Sequence, residues 1–301
     1  TLQDPRRNAL VWSDWVRASL YVAEFISRFS WRTNANTHTT SLSFASKEFF
    51  STVRPTADTL NTQVDLVENY VNQRTERGSE IVTQLGFPSP YYAMVAGIDS
   101  ARFRYTAELL TITQVLCSHV CMTAKYYLDV PRPSQVSTKL TPMIAIPGHG
   151  AFPSAHATEA HAVARVLERM YHSYAMPDKE ARSTLLYKQA ELVAVNRTVA
   201  GVHYPIDSWA GSMLGRNIAD IVLGLAGYGE PYQPVNYDPN ADHGDFNRAA
   251  LTETYHDPAS NAAVSFAEAI AAPSRKGDSA FGSLRREINR EFSDWIGSGG
   301  A

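Results

Sequence analysis

Residues 105–124 read YTAELLTITQVLCSHVCMTA, and the reading of this stretch decides the fold. Leu109, Ile112, Leu116 and Val120 recur at steps of three and four, the period of one face of an α-helix. A membrane span needs about 20 predominantly apolar residues. Glu108, Gln114, His119 and several Thr and Ser interrupt this run, so the expectation is a buried helix and no membrane span. Working outward, Val163, Leu167 and Met170, with Tyr171 beside it, repeat the pattern. Further helix-like stretches run over 8–30, 58–85, 178–200, 205–226, 259–271 and 282–296. Strand-like alternation between turn signals is scarce, and Pro- and Gly-rich breaks fall at 86–90, 131–153 and 227–240. The expected fold is therefore all-α, a single-domain helical bundle over 1–301, irregular at 227–258 and frayed at 297–301.

Composition narrows the function. Hydrophobic residues at 44% and charged residues at 19% are those of a globular chain, not a disordered or collagen-like one. Lys and Arg number 27 against 30 Asp and Glu, for a net charge of −3 and no basic run. Duplex nucleic acid is thereby a poor partner, and a bound anion must be held by a few converging cations. Cys117 and Cys121 stand four apart on the expected helix, where disulfide geometry is hard to satisfy, so both read as buried thiols. The chain opens Thr1-Leu2-Gln3 with neither a signal sequence nor an initiator Met. A soluble protein, secreted or periplasmic once a leader is removed, is one reading, and homo-oligomerisation stays open.

Three clusters carry chemistry. In the first, Lys125 lies near a helix end and Arg132 follows the helix-breaking Pro131; alone, these are only the cations a helix C-terminus attracts. In the second, Phe152-Pro153-Ser154-Ala155-His156 enters an amphipathic helix. Unpaired N–H groups at such a start favour anions, a Ser hydroxyl caps the helix or donates to a bound oxygen, and His156 lies in the first turn. In the third, Arg197 precedes Gly201, His203, Pro205 and Asp207. Asp207, four residues past His203, can accept the imidazole Nδ1–H and so present Nε2 outward; a plain Arg197–Asp207 ion pair is the alternative. Together the clusters suit one tetrahedral oxyanion, with Lys125, Arg132 and Arg197 on its oxygens and a histidine on each apical side.

Lys-x6-Arg-Pro, Pro-Ser-x-His and Arg-x5-His-x3-Asp, at Lys125–Pro133, Pro153–His156 and Arg197–Asp207, resemble the three-part signature of the type 2 phosphatidic-acid phosphatase superfamily, which includes the vanadium-dependent haloperoxidases. The loop from Arg132 to Ser154 looks most like bacterial haloperoxidase-like members. The resemblance implies a bundle of the haloperoxidase/acid phosphatase type with its active-site core at about 100–215. It implies that Lys125, Arg132, Ser154, Arg197 and the Ala155 N–H hold the equatorial oxygens of vanadate, that His203 ligates vanadium, that Asp207 orients His203, and that His156 is the acid–base. Ala155 stands where the family usually has Gly. His149 matches a position near the cofactor in bromide-using members, and reads equally as a loop histidine beside Gly148. The implied activity is a vanadate-dependent haloperoxidase taking hydrogen peroxide, halide (bromide or iodide) and a small organic acceptor. Phosphate can occupy the same site, and the alternative is a soluble acid phosphatase working through a phosphohistidine at His203. An inactive oxyanion-binding relative is the third reading. His161, five residues past His156, falls on another face of its helix.

Overall fold

The computed structural model describes residues 11–229, 232–241, 244–255 and 279–298. Along them the chain runs α1 (Asp14–Ile26), β1 (Phe29–Asn34), β2 (Thr39–Phe44), β3 (Lys47–Val53), α2 (Ala57–Asn69), α3 (Arg74–Thr83), α4 (Ser89–Ala96), α5 (Arg104–Leu128), α6 (Pro133–Val136), α7 (Ala155–Ser173), α8 (Lys179–Val199), α9 (Pro205–Leu225), β4 (Val235–Tyr237), α10 (Arg248–Tyr255) and α11 (Ala280–Gly297).

Helix α7 is the hub, packed on α5, α8 and α9. Its buried face is built from Ala157, Ala160, Ala164, Val163 and Leu167; the alanines let neighbouring axes approach, and the larger side chains fill the gaps between them. On α9, Gly211 and Gly215 complete the close approach. A Cβ built at Gly211 would stand 2.5 Å from Ser154 O, and one at Gly215 would run into the Thr158 backbone. Helix α5 turns Leu109, Ile112, Leu116 and Val120 into the same core. Cys117 and Cys121 are buried free thiols.

The all-α expectation is corrected. A four-stranded sheet in the order β1-β2-β3-β4 sits beside the bundle, antiparallel across β1–β3 and parallel between β3 and β4. Its signal is faint because β2, TTSLSF, alternates through Thr and Ser: Thr40, Leu42 and Phe44 are buried while their neighbours are half-exposed. Thr is at home in strands but adds little to a hydrophobic pattern. The stretch expected as helix over 8–30 breaks at Ile26 and becomes β1. Asn217 Nδ2, on α9, donates to Phe49 O at 2.7 Å and ties the sheet to the bundle. The 227–258 region contains β4 and α10. The helix expected over 259–271 and residues 299–301 of the tail lie outside the described residues.

Candidate active site

Four helix ends and one loop position the candidate residues. Lys125 sits in the last turn of α5, Arg132 just before α6, Ser154 at the N-cap of α7, Arg197 in the last turn of α8, and Asp207 in the first turn of α9. Each segment ends where it does for a local reason. Asp129 takes a left-handed conformation after α5, Pro133 and Pro205 open α6 and α9, and Gly201 has φ +76° after α8. The Phe152–Pro153 bond is cis. The Ser154 N–H donates to Asp207 O at 2.9 Å, stitching the α7 start to the α9 start.

At the centre is His203, 3% exposed. Its Nδ1 lies 2.7 Å from Asp207 Oδ2, which also accepts the Tyr204 N–H at 3.1 Å. The carboxylate fixes the Nδ1–H tautomer, leaving Nε2 as an acceptor 3.0 Å from Arg132 Nη1. Burial first, and then the positive charges of Arg132 and Lys125, hold this imidazole well below its usual range. It is neutral, and so a competent nucleophile or ligand. Burial likewise raises the Asp207 carboxyl, against the opposing pull of Lys125, the Tyr204 N–H and Arg132.

The cations surround this ring. Lys125 Nζ donates to Gly150 O at 2.8 Å and Ala151 O at 2.6 Å; an ammonium has three donors, so one remains. Arg132 reaches Val202 O at 2.6 Å and clasps His149 O at 3.1 Å from Nε. Its Nη2 is also 3.1 Å from His149 Nδ1, so His149 sits on the rim and not on the imidazole. Arg197, 1% exposed, donates from Nη2 to Ile81 O and to Gln84 Oε1, both at 3.2 Å. Its Nε and Nη1 are buried without partners. Two orphaned N–H groups on a buried guanidinium are costly unless an anion takes them.

Opposite His203, His156 Nε2 lies 2.9 Å from Gln84 O, so this nitrogen carries the hydrogen. Burial, followed by Arg197, pushes His156 down to about 4. A bound dianion would reverse that field and restore the proton. Ser154 Oγ accepts weakly from Ala157 N at 3.3 Å. The Ala155 and His156 N–H groups occupy the first turn, where no intrahelical acceptor exists. Lys125, Arg132, Ser154, Ala155, His156, Arg197, His203 and Asp207 are thus brought together, with His149 at the edge. Above them opens a cavity of about 600 Å3 lined by Arg54, Gln135, Ile146 and His149.

Sequence reasoning missed Gln84. At the C-cap of α3, its backbone oxygen meets His156 and its side-chain oxygen meets Arg197 and, at 3.0 Å, Asn196 Nδ2. No motif marks it; only the packing of α3 on α8 brings it here. Arg54, whose Nη2 donates to Asp129 O at 3.0 Å, was equally silent because it comes from the unexpected sheet.

Residues 106–228 match the sequence profile of the PAP2 superfamily. The match is to a PAP2 superfamily domain and covers about two fifths of the chain. The superfamily's enzymes are of the phosphatase and haloperoxidase type, and the domain spans α5 to α9, every helix that contributes to the pocket except α3. No curated protein sequence matches the chain. A solved structure similar to it is the transmembrane PAP2 type phosphatidylglycerolphosphate phosphatase from Bacillus subtilis, at 21% identity and TM-score 0.46, covering 56% of this chain and 86% of that one.

The partner expectations need correction. Hydrogen peroxide, halide and a small organic acceptor were implied by the haloperoxidase resemblance. The PAP2 match is to the superfamily as a whole and does not single out its haloperoxidases. The expectation of no membrane span finds no support: Arg104–Val136 is long and apolar enough to cross a membrane by length and composition, and 56% of its most apolar window is buried in the protein.

Proposed function

We propose that this chain is a phosphomonoesterase working through a phosphohistidine at His203. The observation that carries the reading is the neutral, Asp207-anchored Nε2 facing a cage whose Arg197 still has two N–H groups to give.

Lys125, Arg132 and Arg197, with Ser154 and the first-turn N–H groups of α7, bind the non-bridging oxygens of a phosphate monoester. As the anion enters, Arg132 Nη1 turns from His203 Nε2 to a phosphate oxygen and exposes the lone pair. Nε2 attacks phosphorus and the P–O bond to the leaving group breaks. His156, recharged by the bound dianion, delivers its proton to the departing alkoxide. Asp207 stabilises the positive charge on His203. Water then attacks the phosphoryl group in line, His156 accepts its proton, and phosphate leaves with His203 neutral again. Because charge is spread over the equatorial oxygens, most of the catalysis is positioning and electrostatics.

The same donor set fits vanadate, which shares the shape and charge of phosphate. Lys125, Arg132, Arg197, Ser154 and Ala155 would hold its oxygens and His203 its central atom. Its role in this reading is that of a competitive inhibitor resembling the transition state.

The test is phosphate release from p-nitrophenyl phosphate and from a phosphatidylglycerol phosphate dispersed in vesicles, with trapping of radiolabelled phosphoenzyme by a quench in alkaline detergent. Release and a base-stable, acid-labile label are expected in the wild type, and His203→Ala is expected to lose both, with kcat down by about 10³-fold or more. A His203→Ala variant that still turns over, or a wild type that releases no phosphate yet oxidises bromide when loaded with vanadate, would overturn the proposal. The two substrates separate a soluble leaving group from a lipid one.

A further inference from the structure

Arg197 is a buried cation whose hydrogen bonds run to neutral oxygens, Ile81 O and Gln84 Oε1, both from Nη2. Among the described residues no carboxylate touches it. Lys125 and Arg132 are held in the same manner, on the main-chain oxygens of Gly150, Ala151, His149 and Val202. A carboxylate in any of these places would be the stronger partner. It would also neutralise the cation and occupy the donors that a bound anion needs.

Behind Arg197, two residues of α3 form a relay. Gln84 is fully buried at the C-cap of α3. Its Nε2 donates to Glu80 Oε1, one turn back, at 2.8 Å. A carboxylate only accepts, so the amide meets it with its nitrogen and turns Oε1 toward α8. There Oε1 accepts from Asn196 Nδ2 at 3.0 Å and from Arg197 Nη2 at 3.2 Å. Asn196 is oriented in its turn by Arg77, whose Nη1 donates to Asn196 Oδ1 at 3.3 Å. The Glu80 carboxylate thus reaches Arg197 only through one amide, and its charge opposes the effect of burial on the guanidinium. Both Glu80 and Gln84 lie outside residues 106–228, the stretch that matches the PAP2 superfamily.

We propose that Gln84 and Glu80 are positioning residues for oxyanion binding at Arg197. Glu80 fixes which face the amide presents. Gln84 aims the guanidinium with a neutral oxygen, so that Arg197 keeps its charge and its unspent Nε and Nη1 hydrogens for the anion. The inference rests on the phosphomonoesterase reading for the identity of that anion, a phosphate.

The experiment exchanges the two residues. Glu80→Gln combined with Gln84→Glu keeps each hydrogen bond of the relay and the net charge of the chain, and moves the carboxylate into direct contact with Arg197. Isothermal titration of the full chain with inorganic phosphate is expected to find binding about tenfold or more weaker in this double variant, with the melting temperature kept or raised by the new ion pair. Gln84→Leu deletes the neutral acceptor and is expected to weaken phosphate by about threefold to tenfold. Both variants keep the main-chain oxygen that holds His156. A merely structural relay would instead lower the melting temperature and leave the phosphate affinity of the folded protein as it was. Affinity within about twofold of the wild type in the double variant overturns the inference. If that variant does not fold, the same result in Gln84→Leu overturns it. A wild type that binds no phosphate overturns it as well. A wild type that binds phosphate but hydrolyses no p-nitrophenyl phosphate removes the phosphomonoesterase reading alone, and the affinities of the two variants still decide this inference.

Discussion

At the scale of single residues, burial controls the chemistry. Lys125 is fully sequestered, and burial, then the neighbouring charge of Arg132, brings its ammonium down to about 8 against the pull of Cys121, Asp207 and Glu159. Below that pH the pocket has its full set of cations, and above it one is lost while the guanidinium of Arg197 persists to about 10. Inhibition by orthovanadate or inorganic phosphate is therefore expected to weaken as pH rises through about 8. A flat inhibition constant from about pH 7 to about pH 9.5 would show that Lys125 brings no charge to the anion. One turn beyond His156, Glu159 is 5% exposed, and burial raises its carboxyl to about 8, with Lys125 opposing. The native state thus holds a proton that the unfolded chain releases near 4.5. This contribution to stability is largest at low pH and is lost as pH rises toward about 8. Glu159→Gln should remove that slope. Thermal melts should find the variant gaining on the wild type with pH, by on the order of a few kcal/mol near pH 9; a gap that does not change with pH would refute the assignment.

At the scale of elements, the α7–α9 contact carries the site. Ser154 and His156 start one helix, Asp207 starts the other, and Gly211 and Gly215 bring the two backbones together. Two effects of Gly215→Ala oppose each other. Alanine in a helix interior gains about 1 kcal/mol in propensity. The added methyl meets the Thr158 backbone, which cannot rotate away as a side chain can, and such overpacking costs about 1–3 kcal/mol or more. The steric term wins, and Gly215→Ala is expected to lower Tm by several degrees; a raised Tm would mean the helices are free to separate. The helix-entry prolines and the N-cap serine could be seen in the chain because capping is local. The glycines of α9 give no sign of which neighbour they face.

At the scale of the molecule, the sheet is fastened to a bundle that already houses every motif residue. Asn217 is 1% exposed and its Nδ2–Phe49 O bond crosses from α9 to β3. Asn217→Ala leaves a buried carbonyl without its donor, which costs about 1–3 kcal/mol. The expected outcome is a lower midpoint in urea with turnover of p-nitrophenyl phosphate kept within about twofold, since the bond touches no group in the phosphate cage. Loss of turnover at unchanged stability would instead make the sheet part of the catalytic machinery. Arg54 is the reason to look, because this sheet places it on the wall of the cavity above His203.

The sequence by itself determined the helices with strong 3.6-residue periodicity and the three clusters around Lys125–Arg132, Ser154–His156 and Arg197–Asp207. Those signals are local: apolar spacing, a capping serine, a proline at a helix start, and a histidine with a carboxylate one turn away. Only the tertiary structure decided that β1–β4 form a sheet and that Gln84 braces both His156 and Arg197. Strands rich in Thr and Ser carry little hydrophobic contrast. Contacts such as Gln84 to Arg197 join residues 113 apart, and no local pattern in the chain encodes them.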